Sequence, residues 1–138
     1  MDKFKNLTKN LPAFKNWQWF TALMVITFIA WLPLIVGNRL VDIGDWSLFS
    51  ALFEALRKDI VEFGQFPFWN PWHFGGTPLF ARPQIGTFSI EALCIIIFGT
   101  INGLRIAMFI YALLGAAGMW LLLGDFVKTP TARFWGAM

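Results

Sequence analysis

Charged residues, cysteine and histidine are all scarce in this sequence of 138 residues. Aspartate, glutamate, lysine and arginine make up 14% of the chain, whereas soluble domains contain roughly 25%. One cysteine excludes an intrachain disulfide, and with one histidine it excludes the usual cysteine–histidine zinc sites. The sequence has no cluster of lysine and arginine of the kind that binds nucleic acid. The sequence therefore predicts no organic cofactor, no metal-ligand cluster and no nucleic-acid partner, and it leaves open whether the activity needs a metal ion.

Apolar and aromatic residues are correspondingly abundant in the sequence. Hydrophobic residues make up 57% of the chain, which contains 16 phenylalanines and 8 tryptophans. Aromatic side chains gather at the two surfaces of a bilayer. This composition predicts an all-α integral protein of the cell membrane, with membrane lipid as its first partner.

Three apolar stretches are candidates for membrane-spanning helices. They cover residues 17–37, 85–104 and 105–124, and about 20 apolar residues are needed to span a bilayer. The second stretch is the weakest, because it contains Glu91, and a re-entrant segment is the alternative there. We favour three spans over two, since lipid-exposed backbone that does not span the membrane is costly.

The distribution of lysine predicts the orientation of the chain. Residues 1–16 carry four lysines and one acid, so the positive-inside rule predicts a cytoplasmic N-terminus. Residues 38–84 then form a long extracytoplasmic loop. Residues 125–138 follow as an outer segment and the start of a helix that is cut short, which is typical of the N-terminal part of a longer protein.

The outer loop divides into a helix and an irregular stretch. Residues 46–63 repeat apolar side chains at helical spacing, which predicts an amphipathic helix that lies on the membrane surface or packs on protein. Glu54 and Lys58 are spaced as an i,i+4 ion pair, and Gly64 suits the end of the helix. Residues 64–84 contain four prolines and many aromatics, which predicts an irregular motif loop.

Two aspartates at the start of the outer helix have two possible roles. Asp45 is well placed to cap the helix that begins at Trp46, because its carboxylate accepts the free N–H groups there. A carboxylate just outside the membrane could equally act as a general base. Asp42, about one turn earlier, has the same ambiguity.

Three further ionisable residues are candidates for binding. His73 could be a base, a ligand or a hydrogen-bonding spacer. Arg82 could clamp a phosphate through paired hydrogen bonds or contact lipid headgroups. Glu91 is either a functional group within an apolar segment or an interfacial residue that costs little.

A dense motif gives the chain a family resemblance. The stretch "GQFPFWNPWHFGGTPLFARPQIGTFSIEAL", together with "GDW" after the first span, resembles the N-terminal region of YfhO-like bacterial membrane proteins. The shared pattern is G-x-x-P-x-W-N-P-x-x-x-G-G-x-P-L-x-A-x-P-Q-x-G-x-F. The resemblance covers residues 17 to the end. One departure is "GDWSLFSALF", which lacks the glutamine and proline that the family places after its aspartate.

The resemblance implies a GT-C-type glycosyltransferase fold and activity. Such an enzyme transfers a sugar from a polyprenyl-phosphate donor to a glycan or polymer acceptor outside the cytoplasmic membrane. By position, Asp45 matches the catalytic base, with Asp42 in reserve, and Arg82 could stabilise the leaving phosphate. The candidate substrate-binding residues are Trp69, Asn70, His73, Arg82, Gln84 and Glu91.

Two other classes of protein remain as alternatives. The chain could be a non-catalytic membrane scaffold or a subunit of a transport or envelope-assembly complex. The Asn, Gly and Pro residues of the motif would then determine only the conformation of the loop. A transporter would instead bury and pair Glu91 among the spans. Loss of activity at Asp45 with folding retained would separate the enzyme from both.

Overall fold

The computed structural model describes residues 15–37 and 45–138. The predicted N-terminal segment and Asp42 therefore lie largely or wholly outside the described residues. The described part is mostly helical, as predicted. In chain order it contains α1 (Asn16–Val36), α2 (Asp45–Arg57), a π-helix (Lys58–Glu62), β1 (Trp69–Asn70), β2 (Thr77–Pro78), α3 (Ile90–Phe98), α4 (Thr100–Phe126) and α5 (Pro130–Ala137).

Helices α1 and α4 are long and apolar enough to cross a membrane. They contain 21 and 27 residues, and each has a window with a mean hydropathy of 2.2. Only 6% and 11% of those windows is buried, whereas the core helix of a soluble protein would be mostly buried. Exposed apolar side chains along both helices suit a lipid environment.

The predicted second span is not one continuous helix. Helix α3 begins after Ser89, whose Oγ accepts a hydrogen bond from the Ala92 N–H at 3.2 Å. It ends at Gly99, where φ is +82°, and α4 starts at the next residue. Nine helical residues cover about 14 Å, which is too short to cross a bilayer. Among the described residues, two helices rather than three are long enough to span.

The predicted amphipathic helix is present as α2 and the π-helix that continues it. The Phe63 N–H donates to the Lys58 carbonyl at 3.0 Å, which is the wider i to i+5 pattern of a π-helix. Gly64 follows with φ of +62°, and the Gln65 N–H donates back to the Asp59 carbonyl at 2.9 Å. This is the expected glycine stop.

The motif loop contains a short antiparallel hairpin. Trp69 pairs with Pro78 and Asn70 pairs with Thr77. The Asn70 Oδ1 accepts the Trp72 N–H at 2.9 Å, which fixes the turn. Gly76 has φ of +117°, and a Cβ at that position would lie 2.6 Å from the Trp69 ring. The second glycine of the pair is therefore required by both backbone conformation and ring packing.

The chain forms two compact units, of which the second contains the candidate site. The first comprises residues 15–29 and 113–138 of the described chain, and it packs Leu23 against Ala116, Trp120 and Phe134. The second comprises residues 30–37 and 45–112. Its core joins α2, the motif loop and α3 through buried apolar side chains, namely Leu52, Phe53, Ala55, Leu56, Leu79, Ile85, Ala92, Ile95 and Leu104.

Candidate functional site

A cavity beside the start of α2 brings together two residues singled out in the sequence. Gln84 and Glu91 both line this cavity of about 460 Å³, which we call the Glu91 cavity. The Tyr111 hydroxyl donates a 2.6 Å hydrogen bond to Glu91 Oε2. Its full lining is Trp46, Phe49, Phe53, Pro83, Gln84, Gly86, Ser89, Glu91, Leu104, Met108 and Tyr111.

Asp45 lies next to this cavity along the chain. It is exposed in the first turn of α2, where its negative charge interacts favourably with the positive end of the helix dipole. The following residue, Trp46, lines the Glu91 cavity. The helix begins at Asp45 itself and not at Trp46 as expected for a capping aspartate. An exposed carboxylate one residue from a cavity wall can meet a hydroxyl-bearing molecule from solvent, so the general-base role stays a prediction.

A second cavity contains two other residues from the motif. Asn70 and His73 line a space of about 200 Å³ against α2. Arg82 approaches His73, with 3.5 Å between Arg82 Nη2 and His73 Nδ1. Asn70 is 2% exposed and its side-chain oxygen accepts a backbone N–H, so it shapes the loop. His73 and Arg82 form the polar pair that remains for binding.

Helix α2 is fastened to the start of α4 by a long-range hydrogen bond. The Thr100 hydroxyl donates to Glu54 Oε2, although the two residues are 46 positions apart. Glu54 also lies 3.9 Å from Arg57, not in the i,i+4 pair with Lys58 that the spacing predicts. The Lys58 ammonium instead lies over the Trp72 ring, 5.6 Å from its centroid.

A third cavity is lined mainly by aromatic side chains. It has a volume of about 420 Å³, and Trp69 is one of its walls. We call it the aromatic cavity; its lining is Asp59, Phe63, Gln65, Phe66, Phe68, Trp69, Pro71 and Trp72. Asp59 is the charged residue of this lining, and the sequence analysis did not single it out. It follows the buried residues Ala55 and Leu56 by four and three positions, so helical spacing alone places it on the apolar face.

Four phenylalanines form an exposed cluster on the motif loop. Phe66 and Phe68 have ring centroids 4.5 Å apart, and Phe80 lies 5.1 Å from Phe66. Phe88 completes the cluster and is 86% exposed. A contiguous apolar patch of this kind is typical of a membrane or protein contact. The cluster suits a loop that rests at a bilayer surface.

Arg105 is a second buried ionisable residue that the sequence analysis used only as the boundary of a span. It is 8% exposed, and its Nε has no hydrogen-bond partner among the described residues. It lines a cavity of about 210 Å³ that Asn102 also lines. A buried guanidinium with an unpaired N–H is suited to an anion such as phosphate. The sequence feature that could have identified Arg105 is its position directly after an apolar run.

Asp59 is expected to make stability depend on pH. Burial raises the pKa of its carboxyl above the ordinary value, so the folded chain holds this proton more tightly than the unfolded chain. The contribution of Asp59 to the free energy of unfolding therefore falls as pH rises through the raised pKa. In a non-ionic detergent, Asp59→Asn should raise the unfolding temperature more at pH 7 than at about pH 4.

Glu62→Gln is the matched control for this pH comparison. Glu62 lies in the same π-helix and is exposed, so its replacement should shift the unfolding temperature little at either pH. A gain for Asp59→Asn that is equal at both pH values would contradict an uncompensated buried carboxylate at this position.

Comparison with protein-family models, curated protein sequences and solved structures finds no match to the chain. Among residues 15–37 and 45–138 there is no cluster of three or more His, Cys, Asp or Glu side chains that could hold a metal ion.

Proposed function

We propose that the chain is part of a GT-C-type membrane glycosyltransferase. The enzyme transfers a sugar from a polyprenyl-phosphate donor to an acceptor on the extracytoplasmic side. The observation that carries this proposal is the Glu91 cavity: Gln84 from the motif, the Glu91–Tyr111 pair and Trp46 beside Asp45 line one space. The two long, outwardly apolar helices support placement in a membrane.

The chemistry of the cavity suits a sugar. Trp46 offers an aromatic face on which a sugar ring can stack. The Gln84 amide can donate and accept hydrogen bonds, and the Glu91 carboxylate can accept them from sugar hydroxyl groups. A volume of about 460 Å³ lies within the usual range for small-molecule sites. The exposed phenylalanine cluster would hold the motif loop among the headgroups, where the phosphate of the donor lies.

The proposed reaction is an inverting transfer. Asp45 takes the proton of the acceptor hydroxyl as the oxygen attacks the anomeric carbon of the donor sugar. A new glycosidic bond forms, the bond between that carbon and the phosphate oxygen breaks, and the configuration inverts. The electron pair leaves with the polyprenyl phosphate. Arg82 or Arg105 stabilises the charge of that phosphate.

A transfer assay on the full gene product tests the proposal. Membranes that contain the protein should move radiolabelled sugar from a polyprenyl-phosphate donor to envelope acceptors, and membranes without it should not. A panel of hexose and pentose donors covers the unknown sugar. Absence of transfer from every donor by correctly inserted protein would overturn the proposal and favour the non-catalytic scaffold.

A further inference from the structure

Asp59 is a buried carboxylate without a partner. It is 4% exposed, and among the described residues its carboxylate has no hydrogen bond or ion pair. An uncompensated charge in an apolar environment is costly. Asp59 is nevertheless held in place, because its backbone carbonyl accepts the Gln65 N–H at 2.9 Å. The described chain thus holds a carboxylate without a counter-charge at the wall of the aromatic cavity.

The remaining walls of the cavity are mostly ring surfaces. Phe63 and Trp72 are stacked, with centroids 6.3 Å apart and planes inclined by 19°, and Trp69 adds a third ring. Aromatic faces carry partial negative charge and attract cations. The Trp72 ring already attracts one cation within the chain, since the Lys58 ammonium lies 5.6 Å from its centroid.

We propose that the aromatic cavity binds an organic ammonium group. Asp59 supplies the opposite charge, and the rings supply surfaces that accommodate both the cation and its alkyl substituents. This combination of a carboxylate and aromatic walls is the chemistry that recognises alkylammonium ions. The site is separate from the Glu91 cavity, and the proposal does not depend on glycosyl transfer.

The composition of the cavity favours an ammonium over a sugar or a metal ion. A pyranose carries several hydroxyl groups, but Asp59 and Gln65 are the cavity-lining residues whose side chains offer hydrogen-bond acceptors. A hard metal ion needs several oxygen ligands, whereas Asp59 is the one carboxylate of this lining. An alkylammonium needs one counter-charge and apolar walls.

Direct binding of choline tests the proposal. Equilibrium dialysis with radiolabelled choline and the full protein in a maltoside detergent should show saturable binding. Asp59→Asn should weaken binding by at least about tenfold, because it removes the charge while keeping the shape. Trp72→Leu, which keeps an apolar wall and removes a ring, should also weaken it. Glu62→Gln should leave it unchanged.

The neutral carbon isostere of choline separates charge recognition from simple apolar burial. Dimethylbutanol has the same shape as choline without the charge, and it should not compete. Equal competition by dimethylbutanol, absence of choline binding, or unchanged binding in folded Asp59→Asn would each overturn the proposal.

The same experiment in lipid nanodiscs identifies the source of the ammonium. If lipid headgroups occupy the cavity, soluble choline will bind more weakly in phosphatidylcholine discs than in phosphatidylglycerol discs at high salt. Equal affinity in both discs would assign the site to a soluble amine. Both results support an ammonium site.

Discussion

Replacing Asp45 with asparagine is expected to lower sugar transfer by about a hundredfold to ten-thousandfold, the usual range for loss of a general base. Asparagine has nearly the same shape but cannot take the acceptor proton. The exposed position of Asp45 at the start of α2 means that folding should be little affected. Loss of its charge near the helix N-terminus costs about 0.3–1 kcal/mol. The measurement is initial rate of transfer, normalised to inserted protein.

Asp125→Asn is the control for this experiment. Asp125 is also exposed and lies near the end of α4, so its replacement should leave transfer within a factor of about two, as for ordinary surface substitutions. Unchanged transfer by Asp45→Asn would move the base role to Asp42 or to another group. Equal loss in both variants would point to a general effect on insertion.

Gly103→Ala is expected to destabilise the second unit by about 3 kcal/mol or more. A Cβ at Gly103 would lie 2.6 Å from the Ile95 nitrogen and closer still to the Ile95 Cα. Both contacts are with backbone of α3, which cannot rotate away as a side chain can. Relief therefore requires α3 and α4 to separate. Denaturant unfolding of the protein in detergent would measure the loss.

Gly115→Ala, in the same helix, is expected to increase stability where Gly103→Ala decreases it. A Cβ at Gly115 has no atom within 4 Å, so alanine should stabilise α4 by about 0.5–1 kcal/mol through its better helix propensity. If Gly103→Ala were equally stabilising, the close approach of α3 and α4 would be wrong.

Local patterns in the sequence predict the helices well. The outer helix was expected at residues 46–63, and α2 with its π-helix covers residues 45–62. Such periodicity depends on neighbours three and four positions apart. The helix boundaries within residues 85–104 were harder to predict. Hydropathy is an average over a window of residues, and it does not report the Ser89 cap or the positive φ of Gly99.

The site was less accessible to sequence reasoning, because its contacts are long-range. Glu54 has a suitable local partner in Lys58, yet it binds Thr100 from 46 positions away. Asp59 was overlooked because charged residues on an amphipathic helix usually face water, whereas its spacing from Leu56 places it on the buried side. The roles of Asp45, His73, Arg82, Gln84 and Glu91 remain predictions that the variants will test.

The Glu54–Thr100 hydrogen bond connects α2 to the first residue of α4. As a membrane span, α4 has 27 residues and a length of about 40 Å, against a hydrocarbon core of roughly 30 Å. A helix of this excess length tilts, and it tilts further in a thinner membrane. Because Thr100 is the first residue of α4, α2 is pulled along with that movement. With the proposed membrane placement, we expect a change in lipid thickness to shift α2 and the cavities beside it.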